Sequence, residues 1–225
     1  MLGRNRASGS VIGASTVKNP VLLAWEILQF ETHNTLSGTG ADSFAVSRNL
    51  ILKPQEYFLV PKRIEQLKRA KTSGKVLLDH SDDSGKFGTV GAVALDKWGN
   101  LAAATSTGGL TNKQFGRVGD SPVIGAGTLA DNRTCAISAT GKGEEFIKHT
   151  IASEIHYRML YNKASLREAV RYAVHGVLKQ NTGGIIAVDK NGNIALEFNT
   201  KSMFRGYIDQ SGNQYTKIGK DQLTH

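Results

Sequence analysis

The stretch Gly88-Thr89-Val90-Gly91-Ala92-Val93-Ala94-Leu95-Asp96-Lys97-Trp98-Gly99-Asn100-Leu101-Ala102-Ala103-Ala104-Thr105-Ser106-Thr107-Gly108-Gly109 decides the fold. Two runs of small apolar residues flank the turn Lys97-Trp98-Gly99-Asn100, the pattern of a β-hairpin. Runs so continuously apolar belong to a sheet covered on both faces. The pattern returns at Gly184 to Asp189 and Ile194 to Phe198 around Lys190-Asn191-Gly192-Asn193, and Gly212-Asn213 between Tyr207-Ile208 and Tyr215-Thr216 predicts a last hairpin.

Between the hairpins lie a Gly-rich loop region over 106–131, a strand over Thr134 to Ser138, and helical segments over Glu144 to Leu160 and Ser165 to Lys179. Upstream the chain is mainly helical. Pro20 suits a first helical position, with Val21, Trp25 and Leu28 on one face. Further helices are expected around Ala41 to Asn49 and after Pro61. Residues 72–88, rich in Ser, Asp and Gly, read as a linker. This order predicts a layered α/β fold with a helical layer outside and a second sheet inside.

At 225 residues, 40% apolar and 21% charged, the chain can bury a core without disulfide or metal staples. Its single cysteine, Cys135, excludes an intrachain bridge, and together with the lack of a signal-peptide pattern it sets a cytoplasmic expectation. No apolar run approaches the ~20 residues of a membrane span. The net charge of +9 invites a nucleic-acid reading. However, the densest basic run, Lys62 to Lys71, carries Ile64 and Leu67 at helical spacing and no aromatic platform, so it reads as a solvated helix face.

Four clusters could carry chemistry. Thr89 begins the first core strand directly after the linker. It is either a strand-initiating threonine or a nucleophile whose own amine becomes the base once the Gly88–Thr89 bond is cut. Thr105-Ser106-Thr107-Gly108-Gly109 ends the partner strand, so hairpin pairing brings Thr107 beside Thr89. In Gly116-Arg117-Val118-Gly119-Asp120-Ser121-Pro122, Arg117 and Asp120 are either a local salt bridge or a clamp for the carboxylate and ammonium of an amino acid. Ala139-Thr140-Gly141-Lys142-Gly143 follows a strand and lacks the full phosphate-loop pattern. An oxyanion hole from the Thr140 hydroxyl and the Gly141 N–H is preferred.

In this order and wording the four clusters resemble the plant-type asparaginase and isoaspartyl aminopeptidase family of N-terminal-nucleophile hydrolases. The resemblance covers essentially the whole chain, most closely 88–205. Gly88-Thr89 and Thr107-Gly108-Gly109 are similar to the branch acting on L-asparagine and β-aspartyl dipeptides, rather than to glycosylasparaginases or taspase. It implies an αββα sandwich, one structural domain overall, cut between Gly88 and Thr89 into an α part (1–88) and a β part (89–225). Implied roles are Thr89 as nucleophile with Thr107 beside it, Thr140 and Gly141 at the oxyanion, and Arg117, Asp120 and Gly143 on the substrate. A homodimer of αβ units is implied, acting on a small molecule, with neither nucleic acid nor membrane as partner.

The chain departs from the family at its start. The family's N-terminal strand with a His-Gly-Gly motif and its sodium-binding loop have no counterpart here, and Leu2 stands where a Met-Asp-Gly stretch has aspartate. The first strand is therefore expected to be missing, leaving a sheet edge open. Truncation is the favoured explanation; a catalytically silent relative with a binding or structural role is the alternative. No cofactor or metal ligand set is expected for the chemistry, and potassium dependence is left open. His149 and His156, expected on one helix, read as surface or helix-packing residues, and Cys135 as a small buried residue.

Overall fold

The computed structural model describes residues 1–74, 76 and 88–219. Along the chain come β1 (Ser10–Ile12), α1 (Pro20–Phe30), β2 (Thr35–Ser37), α2 (Gly38–Ser47), a 3₁₀ turn (Gln55–Phe58) and α3 (Pro61–Ser73). Next are β3 (Thr89–Leu95), β4 (Leu101–Thr107), β5 (Thr128–Ala130), β6 (Cys135–Gly141), α4 (Gly143–Lys148) and α5 (Ile151–Tyr161). The chain continues through α6 (Leu166–Arg171), a π-helical segment (Tyr172–Val177), β7 (Gly183–Asp189), β8 (Ile194–Phe198), β9 (Arg205–Ile208) and β10 (Gln214–Lys217).

Three hairpins, β3–β4, β7–β8 and β9–β10, close on one sequence pattern, Asp-X-X-Gly-Asn. The aspartate bonds the turn itself, the mechanism that makes Asp a turn residue. Asp189 Oδ1 accepts from the N–H groups of Asn191 (2.8 Å) and Asn193 (2.9 Å), and its Oδ2 from Asn193 Nδ2 (2.8 Å). Asp96 and Asp209 repeat this with Asn100 and Asn213. These bonds hold both carboxyls below the usual range, the asparagine side chain being the first cause in each.

Strands β5-β6-β7-β8 form one antiparallel sheet, and β3–β4 lie across its face. Alternation along β6 sorts the residues. Cys135, Ile137 and Ala139 turn outward to a core completed by Phe146, Ile151, Ile155 and Val170 of the helices. Each such aliphatic or aromatic side chain contributes about 1.5–3 kcal/mol on full burial. Ala136 turns inward with Ala130 and Val188 against Leu101 and Ala103, packed by Val93 and Leu95. Above this apolar layer, toward Thr89, the inward residues become hydroxyl-bearing: Thr105, Thr128, Ser138 and Thr140.

A separate cluster, Val17, Leu23, Ile27, Ala41 and Ala45, joins α1 to α2. Residues Met1–Gly3 run antiparallel along β4. The Met1 amine donates to the Ala103 carbonyl (2.8 Å), and burial lowers its pKa. Among the described residues no helix is long and apolar enough to cross a membrane.

Several expectations need correction. The helix over Glu144 to Leu160 is broken, because Thr150 sits at φ 44° between α4 and α5. The segment from Ser165 starts on a capping box with Glu168 but becomes π-helical after Arg171. The expected loop 106–131 contains β5, and the strand predicted to end at Ser138 runs on through Gly141. In α1 the buried residues are Leu23, Ile27 and Leu28, while Val21 and Trp25 are nearly half exposed. The short parallel pair β1–β2 carries no sequence signal. Of the predicted linker, residues 75 and 77–87 lie outside the described residues, and α3 extends through Thr72 and Ser73.

Candidate active site

The turn at Asp96 fixes the β3–β4 register, and that register pairs Thr89 with Thr107 at the far end of the hairpin. Thr89 Oγ1 donates to Thr107 Oγ1 at 3.2 Å, and Thr107 Oγ1 also accepts from the Gly109 N–H at 3.1 Å. The second hydroxyl thus lies where it can polarise the first. Gly88 and Thr89 border a small cavity of about 20 Å³ that Thr107, Arg117, Asp120 and Gly141 complete.

Thr140 and Gly141 are the last two residues of β6, not a loop beyond it. Gly141 adopts φ 147°, in the region that disfavours side chains, and a Cβ there would meet the Thr182 carbonyl at 2.3 Å. The Thr140 hydroxyl is buried and has no hydrogen-bond partner among the described residues.

Arg117 and Asp120 do not pair with each other. Arg117 Nε donates to Glu144 Oε1 at 2.7 Å, which holds the Glu144 carboxyl below its ordinary value. Among the described residues Arg117 Nη2 is left buried without a partner, as is Asp120 Oδ2. A Cβ at Gly143 would lie 2.7 Å from Asp120 Oδ1 and 2.9 Å from Arg117 Nη2, so the bare backbone there preserves the space between them. Burial pushes the Asp120 carboxyl up to about 6, against the pull of backbone N–H groups and of Arg117.

A buried polar atom without a partner costs about 1–3 kcal/mol. Three of them, on Arg117, Asp120 and Thr140, belong to the clusters gathered here: a guanidinium donor, a carboxylate acceptor and a hydroxyl. This set suits an α-amino acid whose side-chain carbonyl faces a threonine hydroxyl.

The site also opens onto a larger cleft of about 490 Å³. It shares Thr107, Gly109 and Arg117 with the small cavity and is bordered by Trp25, Ala92 and Ala104. Other titratable suspects sit elsewhere. His156 is fully buried, with Nδ1 2.6 Å from Thr134 Oγ1, and burial lowers its pKa; His149 caps α4 rather than sharing a helix with it. Burial pushes the Cys135 thiol up to about 12, far from a reactive thiolate. Among the described residues no group of three or more His, Cys, Asp or Glu could hold a metal ion.

Glu144 is the site residue that reading the sequence misses, because its partner is 27 positions away. The available signal is the glycine density around Arg117 and Asp120. Besides Gly143, a Cβ at Gly127 would come within 2.6 Å of Asp120 Oδ2, so these glycines mark side chains pressed against backbone.

The sequence profile of a family described as asparaginase matches residues 1–218. The chain is 46% identical over 213 residues to an isoaspartyl peptidase of Salmonella typhimurium, an alignment covering 92% of this chain and 68% of that protein. A plant-type L-asparaginase of Pyrobaculum calidifontis is 39% identical over 216 residues, 92% of this chain and 70% of its own. An isoaspartyl peptidase/L-asparaginase of Mus musculus is 37% identical over 205 residues, 90% and 62% respectively. The chain thus spans about two thirds of the length of these relatives.

Proposed function

The chain belongs to the asparaginase family, and from that premise we propose that it is a threonine-nucleophile amidohydrolase. It would release L-aspartate from L-asparagine and β-aspartyl dipeptides. The observation that carries this reading is that Arg117 and Asp120, each with a buried atom unpartnered among the described residues, line one cavity with the Thr89–Thr107 pair and Gly141, the residue after Thr140.

Activation begins with the Thr89 hydroxyl attacking the Gly88 carbonyl carbon. The peptide C–N bond breaks, the acyl group passes to oxygen, and water hydrolyses the ester to a Gly88 carboxylate and a free Thr89 amine. That amine then takes the Thr89 hydroxyl proton as the oxygen attacks the substrate's side-chain amide. The Thr140 hydroxyl and the Gly141 N–H receive the oxyanion. Ammonia or an amino acid leaves with the proton, and water attacks the resulting ester to free aspartate and restore the threonine.

Arg117 holds the α-carboxylate, with Glu144 fixing its guanidinium from behind through Nε. Asp120 receives the α-ammonium, and Gly143 lines the same space through its backbone. The αββα reading is part of the proposal, supported by helices α4 to α6 on one sheet and α1 beside β4 on the other. A homodimer of cut units follows the same family reading, and the single cysteine, Cys135, supports a reducing, cytoplasmic setting.

The test is aspartate release from L-asparagine and a β-aspartyl dipeptide by the parent, Arg117→Lys and Thr89→Ala. The parent is expected to turn over both substrates, Arg117→Lys to raise KM about tenfold or more, and Thr89→Ala to release none. Turnover by Thr89→Ala would refute the assignment.

A further inference from the structure

Directly beneath the site, Thr105 of β4, Thr128 of β5 and Ser138 of β6 meet across the gap between the sheets. Thr105 Oγ1 lies 2.7 Å from Ser138 Oγ and accepts from Thr128 Oγ1 at 2.5 Å. Thr128 and Ser138 are register partners in one sheet, and Thr105 pairs with Gly91 in the other. Thr128 Oγ1 is also 3.3 Å from the carbonyl of Ser121, the residue after Asp120.

We infer that this hydroxyl knot is a positioning unit that sets the distance from the nucleophile to the oxyanion and substrate-binding groups. The inference rests on the roles proposed above for Thr89, Thr140 and Asp120. Each knot residue stands two positions from a site residue on the same face of its strand, or lies against the loop that carries one: Thr105 below Thr107, Ser138 below Thr140, and Thr128 against Ser121.

Gly91, two residues after Thr89, makes the arrangement possible. A Cβ there would lie 2.0 Å from Ser138 Oγ and 2.8 Å from its Cβ, so the serine packs directly on the backbone of the nucleophile strand. Hydroxyls bonded to one another fix a separation through directional contacts. A displacement near 1 Å at a reacting centre is worth about a hundredfold in rate. The knot therefore acts on kcat rather than on binding of the aspartyl group.

The experiment compares parent, Thr105→Val and Thr105→Ser by steady-state kinetics, thermal unfolding and crystal structure. Thr105→Val keeps the shape and removes the hydroxyl. It is expected to lower kcat about 10–100-fold with KM within about twofold, and Thr105→Ser to recover most of the loss. If Thr105→Val does not accumulate folded, Ser138→Ala, which only removes an oxygen, takes its place. Parent-level kcat in the hydroxyl-free variant, whatever its melting temperature, overturns the inference. If the parent itself releases no aspartate, the functional reading fails, and the structures still decide: a changed Thr89-to-Thr140 separation supports the positioning unit and an unchanged one overturns it.

Discussion

Replacing Asp120 with asparagine should stabilise the protein at neutral pH while crippling substrate binding. Asp120 is 5% exposed, and burial raises the pKa of its carboxyl from 3.8 to about 6. A raised carboxylate pKa means that the folded state holds the proton more tightly than the unfolded one. Stability is therefore lost as pH rises from about 4 through about 6, and the full penalty is present above that window. About two pKa units correspond to about 3 kcal/mol, the upper bound on what Asp120→Asn recovers at pH 7.5. Urea unfolding of both proteins at pH 7.5, 6, 5 and 4 should show a gap that narrows below pH 6 and closes near pH 4. A variant no more stable than the parent at pH 7.5, or a gap independent of pH, would refute the reasoning. The stored penalty matters for function because a substrate ammonium relieves it, so the same variant should bind aspartyl substrates about tenfold or more weakly.

Because only ionised Asp120 receives the ammonium, kcat/KM of the parent should fall about tenfold more than that of Asp120→Asn between pH 7 and pH 5, on top of the decline that protonation of the Thr89 amine gives both. Thr140→Val removes a buried hydroxyl that bonds nothing among the described residues, so kcat should drop about 10²–10³-fold while stability in urea rises by up to about 1–3 kcal/mol. Gly91→Ala places a methyl 2.0 Å from Ser138 Oγ and should destabilise by about 1–3 kcal/mol in urea, with reduced turnover. Asp189→Ala strips three hydrogen bonds from the β7–β8 turn and should destabilise by about 1–3 kcal/mol without touching KM.

What can be read in advance follows from how local each determinant is. The β3–β4 hairpin, and with it the Thr89–Thr107 pairing, is legible because an Asp-X-X-Gly-Asn turn and two strands of equal length fix a register by themselves. The basic helix α3 is equally plain: its charges are solvated and only Ala70 is buried. Arg117, Asp120 and Thr140 stand out through their wording, since nothing local distinguishes an arginine that keeps one buried Nη2 open from one spent wholly in a surface ion pair. Their convergence needs β6 to extend through Thr140, and β6 is held there by pairing with Gly183 and Gly184 some 43 residues on. The break at Thr150, the π-helical turn and the outward face of Trp25 depend likewise on tertiary packing that overrides the helical pattern. Glu144 and the Thr105–Ser138–Thr128 knot are silent in the sequence, because a glutamate in a first helical turn and hydroxyls in strands have ordinary explanations.

The central claim is that Thr89 is an autocatalytic nucleophile, and intact mass tests it most directly. The freshly purified chain and its Thr89→Ala variant are weighed before and after incubation at neutral pH. The account predicts two fragments meeting at Gly88 and Thr89 in the parent and one uncut mass in the variant. A parent chain that stays whole, or a variant that is cut at the same bond, would contradict it.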